Sequence, residues 1–334
     1  MTDALPKTLK ILHVTRAPIG GIFRHIIDLA NGQIARGYQV GIVADSITGG
    51  ERAAAALAEI APRLALGVHR IAIPREPNPA DLLAWPKLSA LVRKFNPDVL
   101  HGHGAKAGVL VRLAGERQNR IRVYTPHGGS LHYPLSSLKG QIYSRLEGAF
   151  INRTELFLFE SEFARDTYQR VVGKPKNLVR CVFNGVTAPE FEPVVPADDA
   201  TDICYVGEFR HIKGADILME AVARLRAQGR PVTLSLGGDG EETDTLRALH
   251  TRLNLGDAVR FLGHVPARYG FSKGRLLVVP SRGDSMPYVV IEAAAAGVPM
   301  LASAIGGIPE IFGPYSDGLV SAGNPDTLAS AIIC

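Results

Sequence analysis

Arg210 and Lys213 lie three residues apart in the segment GEFRHIKG (207–214), just ahead of a helical stretch. Two cations so spaced can reach one diphosphate and neutralise the charge that gathers on a departing nucleoside diphosphate. The segment PSRGDSMPYVVIEAAAAGVPMLASAIGGIPE (280–310) supplies complementary groups. An apolar run ends there at Ser281, a loop carries Asp284, Ser285 and Met286, and Pro287 suits the first position of a helix. The amides around Tyr288 and Val289 then form a helix N-terminus, where unpaired N–H groups and the macrodipole favour a phosphate. Glu292, about one turn inside, is an acceptor-only carboxylate suited to the two donors of a ribose diol. Gly306-Gly307 makes a further turn able to present N–H groups, and Gly20-Gly21 does the same after the first apolar run. In the first half His103 and His127 stand at the ends of strand-like runs. Taken singly, each feature also fits a solvated cation, a capped helix, a plain glycine turn or a hydrogen-bonded structural histidine. Their order along one chain points to an anion-binding, group-transferring site.

The elements that must position these residues alternate. Apolar, β-branched runs at 9–15, 39–45, 68–74, 98–103, 121–127 and 155–161 read as buried parallel strands, with helical stretches such as 22–36, 80–95 and 135–150 between them. A second series runs through 201–207, 232–238, 258–263, 275–281 and 298–303, separated by helices at 215–228, 241–253 and 287–296. The alternation restarts after TAPEFEPVVPADD (187–199), whose three prolines and acidic residues read as a linker. The expectation is an α/β protein of two doubly wound, Rossmann-like parallel-sheet domains, 1–186 and 201–334, joined by 187–200. Its ligand is expected in the cleft between them, at the carboxyl ends of strands.

The 334 residues suffice for two such cores, and a 46% hydrophobic content excludes a mainly disordered chain. The formal charge of +5 hides an asymmetry: 25 basic and 15 acidic residues precede position 191, while 12 and 17 follow. A basic first half predicts an anionic partner there, an anionic membrane surface or a pyrophosphate-linked molecule among them, with a solvated basic face as the competing reading. Nucleic acid is not expected, because the cations are dispersed and no recognition motif accompanies them. No GxGxxG follows the first strand and no GxxxxGK[ST] loop occurs, which removes dinucleotide dehydrogenase and P-loop readings. Cys181, Cys204 and Cys334 are too few and too scattered for a zinc site, and no acidic cluster suits Mg²⁺, so no metal is expected. Without an apolar leader or a run of ~18 apolar residues, the expected location is cytoplasmic, peripheral on the inner face of the membrane at most. Leu135, Leu138, Ile142, Leu146 and Ala149 recur at helical spacing beside Lys139, Arg145 and Arg153. They are expected to pack on the domain core, with a membrane-surface helix as the competing reading.

The ordered set PDVLHGH (97–103), TPHGG (125–129), NGV (184–186), VGEFRHIKG (206–214), GGDGEE (237–242), FLGHVP (261–266) and DSMPYVVIEAAAAGVPMLASAIGGIPE (284–310) resembles the retaining glycosyltransferases of family 4, which have the GT-B fold. The last segment is similar to the family's E-x7-E signature, with Asp284 and Glu292 at its acidic positions. The resemblance implies that Arg210 and Lys213 hold the donor diphosphate, with Arg210 supplying the guanidinium because Glu208 occupies the usual arginine position. It implies that Glu292 binds the donor ribose and that Asp284 with the Ser285–Tyr288 loop approaches the transferred sugar and phosphates. His127 would match the N-domain histidine beside that sugar, and His103 stands as a candidate on the acceptor side. It further implies that the chain stops short of the helices that finish the second domain in other members.

The implied reaction moves a hexose from a UDP- or GDP-linked sugar, a co-substrate rather than a cofactor, to a polysaccharide or lipid-linked glycan. Anomeric configuration is retained through front-face attack, without a metal. A sugar-nucleotide epimerase or hydrolase of the same fold, and a non-catalytic nucleotide-sugar-binding protein, remain as alternatives.

Overall fold

A computed structural model describes residues 8–74, 79, 81–114, 120–129 and 133–333. Ala80, the first residue of the helix expected at 80–95, and Cys334 lie outside the described residues. The chain divides between Val182 and Phe183 into two compact units.

The first unit carries β1 (Lys10–Thr15), β2 (Gln39–Asp45), β3 (Gly67–Ile71), β4 (Val99–His103), β5 (Ile121–Thr125), β6 (Leu156–Phe159) and β7 (Leu178–Cys181). They form one seven-stranded sheet in the order β3-β2-β1-β4-β5-β6-β7, with every pairing parallel. Helices cover both faces, which is why the strands read as nearly unbroken apolar runs: Leu12, Val14, Ile42, Val43 and Leu100 are fully buried. The edge strand β7 was not expected. Its residues alternate between exposed and half-buried, so it lacks the apolar run that marks the inner strands.

The second unit carries β8 (Thr201–Val206), β9 (Leu234–Gly237), β10 (Val259–Gly263), β11 (Gly274–Val279) and β12 (Met300–Ala302), in the order β10-β9-β8-β11-β12 and again all parallel. The segment 187–200 is hydrogen-bonded along this unit, Val194 N–H donating to Ala296 O at 3.0 Å and Ala197 N–H to Ser272 O at 2.8 Å. A last helix, Pro325–Ile332, is capped by the Asn324 side chain, which accepts from the Asp326 and Thr327 amides. It packs on the helix Ala215–Ala227, burying Leu328 and Ala329.

Both sheets have the same winding. The first strand of each unit (β1, β8) is flanked by the second (β2, β9) on one side and by a later one (β4, β11) on the other. The order in which strands are added therefore reverses between β1 and β4 and between β8 and β11, the points at which open α/β sheets bind ligands at the strands' carboxyl ends.

The helix Leu138–Phe150 corrects one expectation. Its apolar stripe does not pack on the core: Leu135 is 45% exposed, Leu138 73%, Ile142 54% and Leu146 41%, and Ala149 is exposed as well. The inward face is instead Gly140, Ser144 and Glu147. A Cβ at Gly140 would lie 2.2 Å from the Pro134 carbonyl oxygen, and Ser144 Oγ donates to Val171 O at 2.6 Å. Glu147 Oε2 accepts from the fully buried Arg112 at 2.8 Å, and its Oε1 accepts from Tyr124 Oη at 2.6 Å. A buried charge that is paired and hydrogen-bonded on both oxygens pins this face inward, and the leucines are left outside.

Candidate active site

In the second unit the polar residues gather where β8 and β11 separate. Phe209 is buried and its amide donates to Asp239 O at 2.7 Å, anchoring the loop that follows β8. Arg210 precedes a single 3-10 turn, His211–Lys213, which ends at Gly214. Gly214 has φ +73°, and a Cβ there would lie 2.1 Å from the Pro280 carbonyl oxygen, so the loop lies directly against the end of β11. Lys213 Nζ consequently reaches both carboxylate oxygens of Asp284, at 2.9 and 2.7 Å, and Ser281 Oγ donates to the same carboxylate at 3.1 Å. The turn after β12 closes on the same residue. Gly307 N–H donates to Asp284 O at 3.3 Å, and Gly306, at φ +62°, has no room for a Cβ, which would fall 1.5 Å from that oxygen. Three strand ends thus converge on Asp284.

Arg282 holds the scaffold. Its guanidinium takes Asp216 with two hydrogen bonds of 2.7 and 2.5 Å and also donates to His211 O. Burial alone would raise the Asp216 carboxyl, but these bonds outweigh it and bring it below the usual carboxylate range. Arg210, by contrast, has among the described residues only long ion pairs, 3.7 Å to Glu208 and 3.6 Å to Glu241, at a half-buried, solvent-facing position where such pairs hold weakly. Ser285 is nine-tenths buried, and its Oγ has no hydrogen-bond partner among the described residues. The Met286 carbonyl accepts from Asn184 Nδ2 at 2.9 Å, tying the NGV segment to this loop. Pro287 caps the helix Tyr288–Ala295, on which Val289 and Glu292 are half-buried.

In the first unit the corresponding point collects histidines. His13 lies beside His101 in the β1–β4 register, and His103 beside Thr125 in the β4–β5 register. His13 Nδ1 is 3.0 Å from His103 Nε2, and His103 Nδ1 is 3.1 Å from His127 Nε2. On the other side His13 Nε2 meets Gln33 Oε1 at 2.8 Å, from the helix Gly20–Ala35 that Gly20 and Gly21 begin. His25, on the same helix, sets its ring 5.1 Å from that of His127. Burial pushes His13 down to about 4 and lowers His101, His103 and His127 well below the usual imidazole value, helped by neighbouring histidines. These four rings are neutral at pH 7. His127 has φ +52°, a left-handed backbone that costs a non-glycine residue about 1–2 kcal/mol.

The structure therefore brings Lys213 and Asp284 into contact, sets Arg210 on the same loop, and joins His103 to His127. Sequence reasoning missed Ser281, His13 and Gln33. The signal available was a polar residue interrupting an apolar strand, as His13 interrupts KILHVT.

Two parallel α/β sheets of this winding, with polar residues collected where each reverses, are the architecture of the GT-B glycosyltransferases. Residues 19–188 match Glycosyltransferase Family 4 and residues 200–334 match Glycosyl transferases group 1; the chain belongs to this family of glycosyltransferases. Among curated relatives it is similar to a glycogen synthase of Mycobacterium tuberculosis, 24% identical over 87% of this chain and 76% of the relative. A D-inositol 3-phosphate glycosyltransferase 2 of Catenulispora acidiphila is also 24% identical, over 99% and 87%. Among solved structures, Anabaena HepE in complex with UDP and glucose superposes with a TM-score of 0.77 at 21% identity, covering 97% of this chain and 89% of that one. A sucrose-phosphate synthase from Thermosynechococcus elongatus gives 0.78 at 23% identity with the same coverage.

Proposed function

We propose that the chain is a retaining, metal-independent hexosyltransferase that takes its sugar from a UDP- or GDP-linked donor and passes it to a polysaccharide or lipid-linked glycan. The observation that carries this reading is the convergence of Lys213, Ser281 and Asp284 at the reversal point of the second sheet, with Arg210 loosely held on the adjoining loop. Arg210 and Lys213 would clamp the diphosphate, Lys213 exchanging Asp284 for a phosphate oxygen. The freed Asp284 would then accept from sugar hydroxyls. Ser285 Oγ, buried with no partner among the described residues, would find one in the donor. Glu292 would accept from the ribose diol, and the amides following Pro287 would face a phosphate. The donor's own β-phosphate oxygen would take the acceptor's proton, so the protein contributes position and charge stabilisation rather than a base. The binding of UDP and UDP-glucose by the Anabaena neighbour supports a uridine donor.

Leu138, Ile142 and Leu146, one turn apart and exposed, with Lys139, Arg145 and Arg153 exposed nearby, support docking of the first unit on an anionic membrane that carries the acceptor. Among the described residues no helix is long and apolar enough to cross a membrane.

A thermal-shift panel of nucleoside diphosphates and their sugars tests the donor site. A ligand at 100 times its Kd adds ~2.7 kcal/mol of stability. Stabilisation by one base, lost in Arg210→Ala and Glu292→Ala, with sugar transferred to a membrane extract, is the expected result. No response to any nucleotide would refute the reading.

A further inference from the structure

The three bonded histidines of the first unit form a chain whose polarity is fixed at one end. Gln33 presents its carboxamide oxygen to His13 Nε2 at 2.8 Å, and that oxygen can only accept. His13 Nε2 therefore carries a proton. A neutral imidazole has one donor and one acceptor nitrogen, so His13 Nδ1 accepts, and the proton in the 3.0 Å contact belongs to His103 Nε2. His103 Nδ1 in turn accepts across 3.1 Å from His127 Nε2. The chain ends with His127 Nδ1 unprotonated, and no described residue hydrogen-bonds to that nitrogen. His101 stands outside the chain, bonded to Thr125 Oγ1 at 2.9 Å. Its ring centroid is 3.9 Å from that of His103, so it limits rotation of the central ring. Burial keeps all three rings of the chain neutral, the condition under which one donor and one acceptor per ring holds.

We propose that Gln33, acting through His13 and His103, sets the tautomer of His127 so that its bare Nδ1 accepts a hydrogen bond from a ligand hydroxyl. Gln33, His13 and His103 are positioning residues. That the hydroxyl belongs to the transferred sugar rests on the glycosyltransferase reading above; the tautomer does not. A ring locked as an acceptor favours a hydroxyl over an anionic or aprotic group at that point, because only a donor satisfies it. The same nitrogens could also gather a metal ion, since one atom each of His25, His103 and His127 lies within 4.8 Å of the others. In the relay a proton occupies the contact between two of them instead.

The test is ¹⁵N NMR of histidine-labelled full-length protein without ligand at pH 7.5, where nitrogen shifts distinguish protonated from bare ring nitrogens. His13, His103 and His127 should each carry the proton on Nε2. Gln33→Glu, still an acceptor, should leave all three unchanged. Gln33→Lys, whose ammonium can only donate, should move the proton to Nδ1 in all three rings. It should also lower kcat/KM at least tenfold, with nucleoside diphosphate affinity unchanged. If Gln33→Lys does not fold, Gln33→Leu replaces it and should give mixed tautomers at His127. An Nδ1 proton on His127 in the wild type overturns the proposal. So does a His127 signal indifferent to Gln33, or stoichiometric zinc in place of the proton between His103 and His127. Because the tautomers are read without substrate, a failed glycosyl-transfer assay refutes the enzymatic reading and leaves this result standing.

Discussion

Lowering the pH from 8 to 5 should destabilise the first unit by at least about 2 kcal/mol, and the histidine cluster is the reason. Folding pushes His13 from its ordinary 6.5 down to about 4, through burial first, with Gln33 opposing and His25 adding to it. Between those values the unfolded chain binds the proton and the folded chain does not, so stability rises with pH across the window. It is fully present above 6.5 and drains away as the pH falls towards 4, at about 1.4 kcal/mol per pH unit. By pH 5 that amounts to about 2 kcal/mol from His13 alone. His101, His103 and His127, depressed in the same direction, add to it. Glu155, whose carboxyl lies below its ordinary 4.5, contributes only under that value and so stays out of this window. The chain has a single tryptophan, Trp85, on the first unit's helix Asp81–Phe95, so urea unfolding followed by its fluorescence reports this unit. With a urea slope of ~2 kcal/mol/M, the midpoint should fall by about 1 M between pH 8 and 5. A midpoint that holds or rises would mean that these rings are not buried neutral.

Three further outcomes follow from the same contacts. Glu147→Ala leaves Arg112 buried without its carboxylate and should cost about 3–5 kcal/mol, seen as a large drop in Tm, with Glu147→Gln intermediate. Lys213→Ala should reduce transfer about 10²–10³-fold in kcat with circular dichroism unchanged, since it removes one positioned cation from the developing diphosphate; wild-type turnover would remove Lys213 from the site. Leu138→Ser with Ile142→Ser should change stability by less than about 0.5 kcal/mol per site, because both side chains are already exposed. The same pair should abolish co-sedimentation with anionic vesicles, and unchanged co-sedimentation would detach this helix from membrane docking.

The strands were legible because parallel strands covered on both faces have to be apolar throughout, and Arg210, Lys213 and Asp284 because charges beside glycine turns at strand ends stand out against such runs. The contact between Lys213 and Asp284 was not legible. It depends on β11 lying beside β8, and strand order is a property of the sheet rather than of neighbouring residues. The helix Leu138–Phe150 shows a different limit. Periodicity tells which residues share a face but not which face is buried, and here a glycine, a serine and a paired glutamate outbid three large apolar side chains. His13 was passed over because an imidazole inside KILHVT has no visible partner until β4 and the helix Gly20–Ala35 bring His103 and Gln33 to it.

The shared winding of the two sheets also bears on how such a protein can diverge. Each hydrophobic core is sealed between its own sheet and helices, while the polar chemistry hangs on loops that leave the strand ends. Polar side chains there can be exchanged without disturbing either core, buried anchors such as Phe209 excepted, so a new donor or acceptor is reachable by small steps. Exceptions include Gly214, Gly238 and Gly306, whose backbones lie against Pro280, Gly207 and Asp284 too closely for any Cβ. At such positions substrate choice and folding are inherited together.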